Sequence, residues 1–381
     1  MYNTFSKLNC HLANFIKFEI LKVDNKQITK FPNQCFFDKG SVKDNKFNRK
    51  LNKSGLLKIP ANQILLTLLC LVFKETGDIP GNRLQLYKEG LEILLKKWDN
   101  THSINRDQVY KNLSLQRKED LLSQIALKTF ERGEYYFNQN ELEQYITDYI
   151  YNFPNAQNNR EALQLDSEAV LKSIEAQHGI LVELTGGIYS FSILAFHKYF
   201  TAKAIIGSPN PQTLETALQN LVSHINEVRW REVFLLAASM MRNADYLVSL
   251  IKHQTNALIA SNQELQQFLT LNNQNSNTVE APYKPSALRA FFLEFVLKLD
   301  LDFASSLDNN LAYDLSYSFT RVHTYTHELQ NFQFTDQQKQ ALKQYYNANK
   351  LLMGCLDNAR YVTRSVREKI ENTLLVPSQI L

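Results

Sequence analysis

Eight histidines, four cysteines and 38 carboxylates are spread over 381 residues, and chemistry would need some of them at working spacing. Acyl transfer from a strand-to-helix elbow requires G-x-S-x-G, which is absent. His102, His178, His253 and His323 stand in polar or turn-like contexts with no nucleophile motif beside them. His323 and His327 are four apart with Asp336 downstream, yet the Glu of H-E-x-x-H is missing, so a plain helix surface accounts for the pair better than a metal. Cys10, Cys35, Cys70 and Cys355 form no C-x-x-C and have no histidine at ligand spacing, which argues against zinc and against a disulfide-stapled domain. No G-x-x-x-x-G-K-[ST] cradles a phosphate, and no apolar run ends in the paired acids that hold magnesium. The residues assign no catalytic, metal-binding or cofactor-binding role, and the chain is expected not to be an enzyme.

The surrounding composition is that of a packed helical protein. Apolar residues make up 44% and aromatic residues 11%, enough for hydrophobic cores, while 11 Gly and 9 Pro are too few for a turn-rich β fold. The length favours two or three domains over one core. Residues 1–60 hold 12 Lys or Arg against 4 Asp or Glu, a net +8, and the remainder sums to −4. Such a basic arm can contact nucleic acid or an anionic membrane, though a solvated segment reads the same way and is preferred. The longest apolar run, Ile64 to Phe73, falls well short of the roughly 20 residues that span a bilayer. With no signal-peptide core at the start, a cytoplasmic protein without a membrane partner is expected.

Along the chain, ANQILLTLLCLVFKETG reads as a helix apolar on nearly all sides, stopped by Gly77, Pro80 and Gly81. Leu84, Tyr87, Leu91, Leu94 and Trp98 then share one face of a second helix. A third runs from Glu119 to Arg132 with Gly133 as its C′ residue. After an extended piece at Tyr135–Phe137, Asn138 and Glu141 suggest a capping box, and Asn152–Asp166 a polar loop. SEAVLKSIEAQ reads as a helix, ILVEL and IYSFS as strands joined at Thr185-Gly186-Gly187, and LAFHKYFTAKAII as another helix. Helix, hairpin, helix is the ending of a winged helix. Beyond Pro209 successive helical segments form an array, interrupted by a polar linker, NNQNSNTVEAPYKP. Leu-Asp pairs then recur as in a degenerate repeat, and helices near 335–353 and 360–374 close the chain.

These residues resemble a known family. ANQILLTLLCLVFKETGDIPGNRLQLYKEGLEILLKKW is similar to the helical domain that follows the ATPase module in bacterial, especially cyanobacterial, NACHT proteins. ERGEYYFNQNELEQYI with HGILVELTGGIYSFSILAFHKYFTA resembles their winged-helix domain, and the tail from about 207 their helical C-terminal domain. The resemblance covers roughly residues 59–381. It implies a signalling NTPase held closed by ADP and opened by a trigger, in bacteria a setting of defence against phage, with the winged helix as the latch on the nucleotide.

Several positions depart from the pattern. The P-loop and the magnesium-binding strand are missing. The helix start that reads Asn-Pro-Leu-Leu in the family reads Asn62-Gln63-Ile64-Leu65 here. The family's nucleotide-sensing His, in a Phe-Ser-His-Leu-Thr-Phe context, matches Ile193 in Phe191-Ser192-Ile193-Leu194, and Lys198 replaces the Glu before the Tyr-Phe pair. Isoleucine cannot donate to an anion.

The expected protein is mainly α: a divergent basic arm over 1–58, a NACHT-type helical domain over 59–110 and a winged helix with one small β-hairpin over 111–206. A helical C-terminal domain over 207–272, a linker over 273–285 and a helical tail over 286–381 complete it. The expected function is a non-catalytic regulatory or sensor portion of a NACHT-family signalling protein without cofactor, working with a protein partner: a NACHT-bearing chain or a trigger ligand. A truncated gene product and an adapted paralogue fit the sequence equally. The alternatives are a winged-helix nucleic-acid binder and a helical interaction scaffold. The first would read DNA through His197, Lys198 and Lys203 on LAFHKYFTAKAII, too apolar for a free recognition helix. The second would use aromatics such as Trp230, Phe234, Phe291, Phe292 and Phe295, most of which read as core.

Overall fold

The computed structural model describes residues 46–47, 49–51, 63–96, 114–152, 167–175, 179–278, 283–311 and 332–377. The loop expected at Asn152–Asp166 lies almost wholly outside these residues, as do most of the basic arm and the second half of the Leu-Asp stretch. The chain divides into two compact units, 1–204 and 205–381.

In the first unit, α1 (Gln63–Thr76) pairs with α2 (Arg83–Lys96). The contact centres on Gly90, whose missing side chain lets α2 approach Leu68. That choice turns α2 so that Leu86, Tyr87, Leu91 and Leu95 are buried. The expected face is therefore rotated, and Leu84 and Leu94 are only half-buried. Phe47 packs edge-on against Phe73 at 5.1 Å, and Lys50 pairs with Asp78 at 2.8 Å.

Helix α3 (Leu115–Glu131) begins four residues earlier than the periodicity suggests, because the Ser114 hydroxyl accepts from the Arg117 N–H and caps it. Its end is a Schellman motif. Gly133 has φ +72°, its N–H donates to the Phe130 carbonyl, and the Glu134 N–H donates to the Thr129 carbonyl. Strand β1 (Phe137–Asn138) leads into α4 (Gln139–Tyr151), where Asn138 is the N-cap but makes no side-chain cap bond. The expected capping box does not form, because Glu141 is taken by Arg132 and by the Tyr145 hydroxyl, the latter at 2.9 Å.

Helix α5 (167–175) precedes β2 (Leu181–Thr185) and β3 (Ile188–Phe191). The hairpin turn is Gly186-Gly187 with φ of +56° and +77°, the sign that a two-residue turn matched to strand twist demands. The expectation of a lone hairpin needs one correction. β1 adds to β3, pairing Phe137 with Tyr189, and gives an antiparallel sheet of order β1-β3-β2. Two residues are too short to show the alternation by which a strand is recognised. Helix α6 (Leu194–Ile206) follows.

The second unit is helical throughout its described residues. It comprises α7 (Pro211–Ser223), a 3₁₀ turn (Val228–Trp230), α8 (Arg231–Met240), α9 (Asp245–Ala257), α10 (Gln263–Thr278) and α11 (Pro285–Leu297). After these come α12 (Asp302–Leu307), α13 (Asp336–Asn358) and α14 (Arg364–Asn372). α13 packs against α8, α9 and α11, so its Tyr345, Leu352 and Leu356 are inaccessible. The linker expected over 273–285 is corrected in its first half. α10 runs on to Thr278, because Asn272 donates to the Arg289 carbonyl at 3.1 Å and Ser276 is buried. The polar stretch 273–278 is helical, with Ser276 its one buried residue and the rest exposed or half-buried. The last helix starts at Arg364, not near 360, and ends at Asn372.

Candidate regulatory site on the winged helix

The segment joining β3 to α6 carries Ile193. The Ser192 N–H donates to the Ile180 carbonyl at 2.8 Å, fixing the end of the hairpin. The Ile193 carbonyl then accepts from the N–H groups of Phe196 (2.9 Å) and His197 (3.4 Å), which opens α6. Ile193 is half-buried, and its neighbour Leu194 is 48% exposed. Position 193 thus offers only hydrocarbon, which cannot donate a hydrogen bond.

Helix α6 has no polar face. Phe196, Tyr199, Phe200, Ala202 and Ile205 are buried, and so are His197 and Thr201, so the helix is enclosed rather than presented. His197 stacks on Phe191 at 4.6 Å and meets the edges of Phe130 and Phe137. Its Nε2 lies 3.1 Å from the Ala126 carbonyl and 2.9 Å from the Thr129 hydroxyl. Burial lowers its pKa to about 4, against which the Ala126 contact works only in part, so the ring is neutral at pH 7. His197 is a packed core residue. Lys203 is paired with Glu119, and Lys198 is half-buried.

The element order α3-β1-α4-α5-β2-β3 places α5, not α6, second in the helix-turn-helix pair, the place from which such domains read a groove. The expectation fixed on LAFHKYFTAKAII named the wrong helix. α5 carries Glu168, Lys172 and Glu175. Lys172 is held by the Tyr189 hydroxyl at 2.9 Å, Glu183 at 3.1 Å and Glu175 at 3.7 Å. Glu175 also accepts from the Glu183 N–H. The Gly187 N–H, together with Lys172, keeps the Glu183 carboxyl below its ordinary range. The cluster pins the hairpin to α5 and leaves that helix net acidic, which repels phosphates. Nothing in the linear sequence brings Lys172 to Glu183 and Tyr189 except the pairing of β2 with β3.

Among the described residues no group of three or more His, Cys, Asp or Glu is placed to hold a metal ion. His102, His178, His323 and His327 lie outside them. Asp336 is exposed in the first turn of α13 beside Lys339, and His253 is exposed on α9. Trp230, Phe234, Phe291 and Phe292 are core and Phe295 is half-buried, so these aromatics line no open groove. No described helix is long and apolar enough to cross a membrane.

A buried cation also escaped the sequence reading: Arg289 is 3% exposed on α11, while Lys252 on α9 is half-buried. A cation on an otherwise apolar helix carries no mark of burial in its sequence.

Comparison with known families agrees with this architecture. The family described as the winged helix-turn-helix domain C-terminal to NACHT matches residues 83–205. The match takes in α2, which had been expected to belong to a separate domain over 59–110. The family described as NACHT C-terminal helical domain 2 matches residues 308–377. No curated protein matches the chain. A three-stranded winged helix followed by a helical domain, each matching a family named for its place after NACHT and in that order, is consistent with a NACHT C-terminal portion.

Proposed function

We propose that this chain is a non-catalytic regulatory portion of a NACHT-family signalling protein. It transmits a signal through protein contacts in the cytoplasm, in the defence setting its family implies, and holds no nucleotide of its own. The observation that carries this reading is Ile193. At the position matching the family's nucleotide-sensing His, the chain presents an aliphatic side chain at the mouth of an enclosed helix. Loss of one charge-assisted hydrogen bond to an anion weakens a nucleotide-locked state by about 1.5–3 kcal/mol. The partner is a protein, either a NACHT-bearing chain or the trigger itself. Groove reading is disfavoured by the acidic α5.

The test is nucleotide occupancy. The purified chain is denatured, released ADP and ATP are quantified, and a thermal-shift titration with both is run alongside. No released nucleotide and no shift are expected. Stoichiometric ADP would overturn the proposal.

A further inference from the structure

Two helices of the second unit end, and two others begin, at one place. α8 closes at Met240 and α13 at Asn358, and the links that lead on to α9 and α14 are bonded to one another. The Ala244 N–H donates to the Tyr361 carbonyl at 3.0 Å, and the Thr363 N–H donates to Asp245 Oδ1 at 2.8 Å. Arg242 is two residues from Ala244 and Arg360 is one residue from Tyr361, so chain reach keeps both backbones within about 8 Å of the first bond. Arg364 opens α14 next to Thr363.

The side chains gathered there are tyrosines and arginines. Tyr246 and Tyr361 are 42% and 54% exposed, two of the three large apolar side chains that this unit leaves in solvent among its described residues. Arg242, Arg360 and Arg364 are exposed as well. Arg364 pairs with Glu368 at 2.5 Å. Arg242 and Arg360 make no side-chain hydrogen bond or ion pair with any described residue. A cation just past a helix end commonly holds the last carbonyls, yet neither of these donates to one. The carboxylates of the same region are engaged. Asp245 holds the Thr363 N–H and the Asn243 amide, Glu215 accepts from the Tyr246 hydroxyl at 2.7 Å, and Asp357 lies 3.8 Å from Arg367.

We propose that this end of the helical domain is a docking surface for an acidic segment of a protein partner. Carboxylates of that segment meet Arg242 and Arg360, and its apolar side chains cover Tyr246 and Tyr361. Arginine presents a fork matched to a carboxylate, and exposed tyrosine adds contact area with few torsions to freeze, which is why the two types dominate binding hot spots. The interspersed carboxylates select the class of partner. A continuous phosphate backbone laid across this end would meet Glu215, Asp245, Asp357 and Glu368, whereas a peptide can place discrete acids over the two unpaired arginines alone. The proposal rests on the reading of the chain as a module that works through protein contacts, and names the surface that makes one.

The experiment is fluorescence anisotropy with the full chain and a fluorescein-labelled peptide in which Glu alternates irregularly with Leu, against a control peptide with every Glu replaced by Gln. Saturable binding of the acidic peptide alone is expected. Arg242→Glu with Arg360→Glu should weaken it on the order of tenfold or more, since two attractive contacts become repulsive. Tyr361→Ala should weaken it severalfold, which a diffuse charge effect would not do. Lys74→Glu with Lys88→Glu, an equal change of charge at exposed positions of the first unit, should leave it unchanged. Absence of binding would overturn the proposal, and so would equal losses in the two charge-reversed pairs. Polyuridylate bound more tightly than the peptide, with the same dependence on Arg242 and Arg360, would assign the surface to nucleic acid instead. Released nucleotide would count against the functional reading without touching any of these outcomes, so the two failures are distinguishable.

Discussion

His197 Nε2 sits 3.1 Å from the Ala126 carbonyl, 71 residues away, inside a cage of Phe130, Phe137 and Phe191. The distance makes Nε2 the protonated nitrogen of a neutral ring, because a carbonyl can only accept. One side chain thereby ties α6 to α3 inside the winged-helix core.

Acid should therefore destabilise this unit. The unfolded histidine titrates near 6.5 and the folded one near 4, so between these values the unfolded chain binds more protons. The stabilisation is complete above pH 6.5 and is lost as pH falls toward 4, amounting to about 3 kcal/mol in all. Chemical denaturation between pH 4 and 7 would show this slope, and His197→Gln should flatten it. A slope unchanged in the variant would place the acid sensitivity elsewhere.

Gly90 admits no side chain. A Cβ built there collides with the Leu68 side chain, so Gly90→Ala forces α1 and α2 apart despite alanine's better helix propensity. The expected cost is about 1–3 kcal/mol, as for other overpacked cores. Thermal melts read it directly, and Leu68→Ala should partly rescue the double variant.

Glu294 caps α12 from a neighbouring helix. Its fully buried carboxylate accepts from Phe303 N at 2.9 Å, Ala304 N at 3.2 Å and the Tyr346 hydroxyl at 2.7 Å. Glu294→Gln turns an amide donor toward one of those donors and should cost about 1–3 kcal/mol. Glu294→Leu removes all three bonds and should cost more. Urea titrations of both variants would check the order.

DNA retention should be absent. With Glu168 and Glu175 on α5 and Lys172, the one cation among its described residues, engaged, gel-shift assays at about 50 mM salt, where phosphate contacts are strong, are expected to show no complex. Retention that survives removal of residues 1–58 would return the winged helix to the groove-reading class.

Much of this was legible in the linear chain because it rests on local rules. Apolar spacing marks α3 and α13, the Gly186-Gly187 pair marks a hairpin, and Gly133 marks a helix end. The lack of a phosphate cradle and the identity of residue 193 are facts of sequence alone. Tertiary structure decided what depends on partners distant in the chain. β1 is a strand only because β3 lends it an edge, and α2 turns its face because Gly90 meets Leu68. α10 continues through a polar stretch, with Asn272 donating to the Arg289 carbonyl from a neighbouring helix. His197 and Arg289 look like surface residues by type, yet both are buried, and burial makes the histidine neutral. Local periodicity is written in neighbours three or four apart, whereas desolvation is set by whatever the fold brings to the other side.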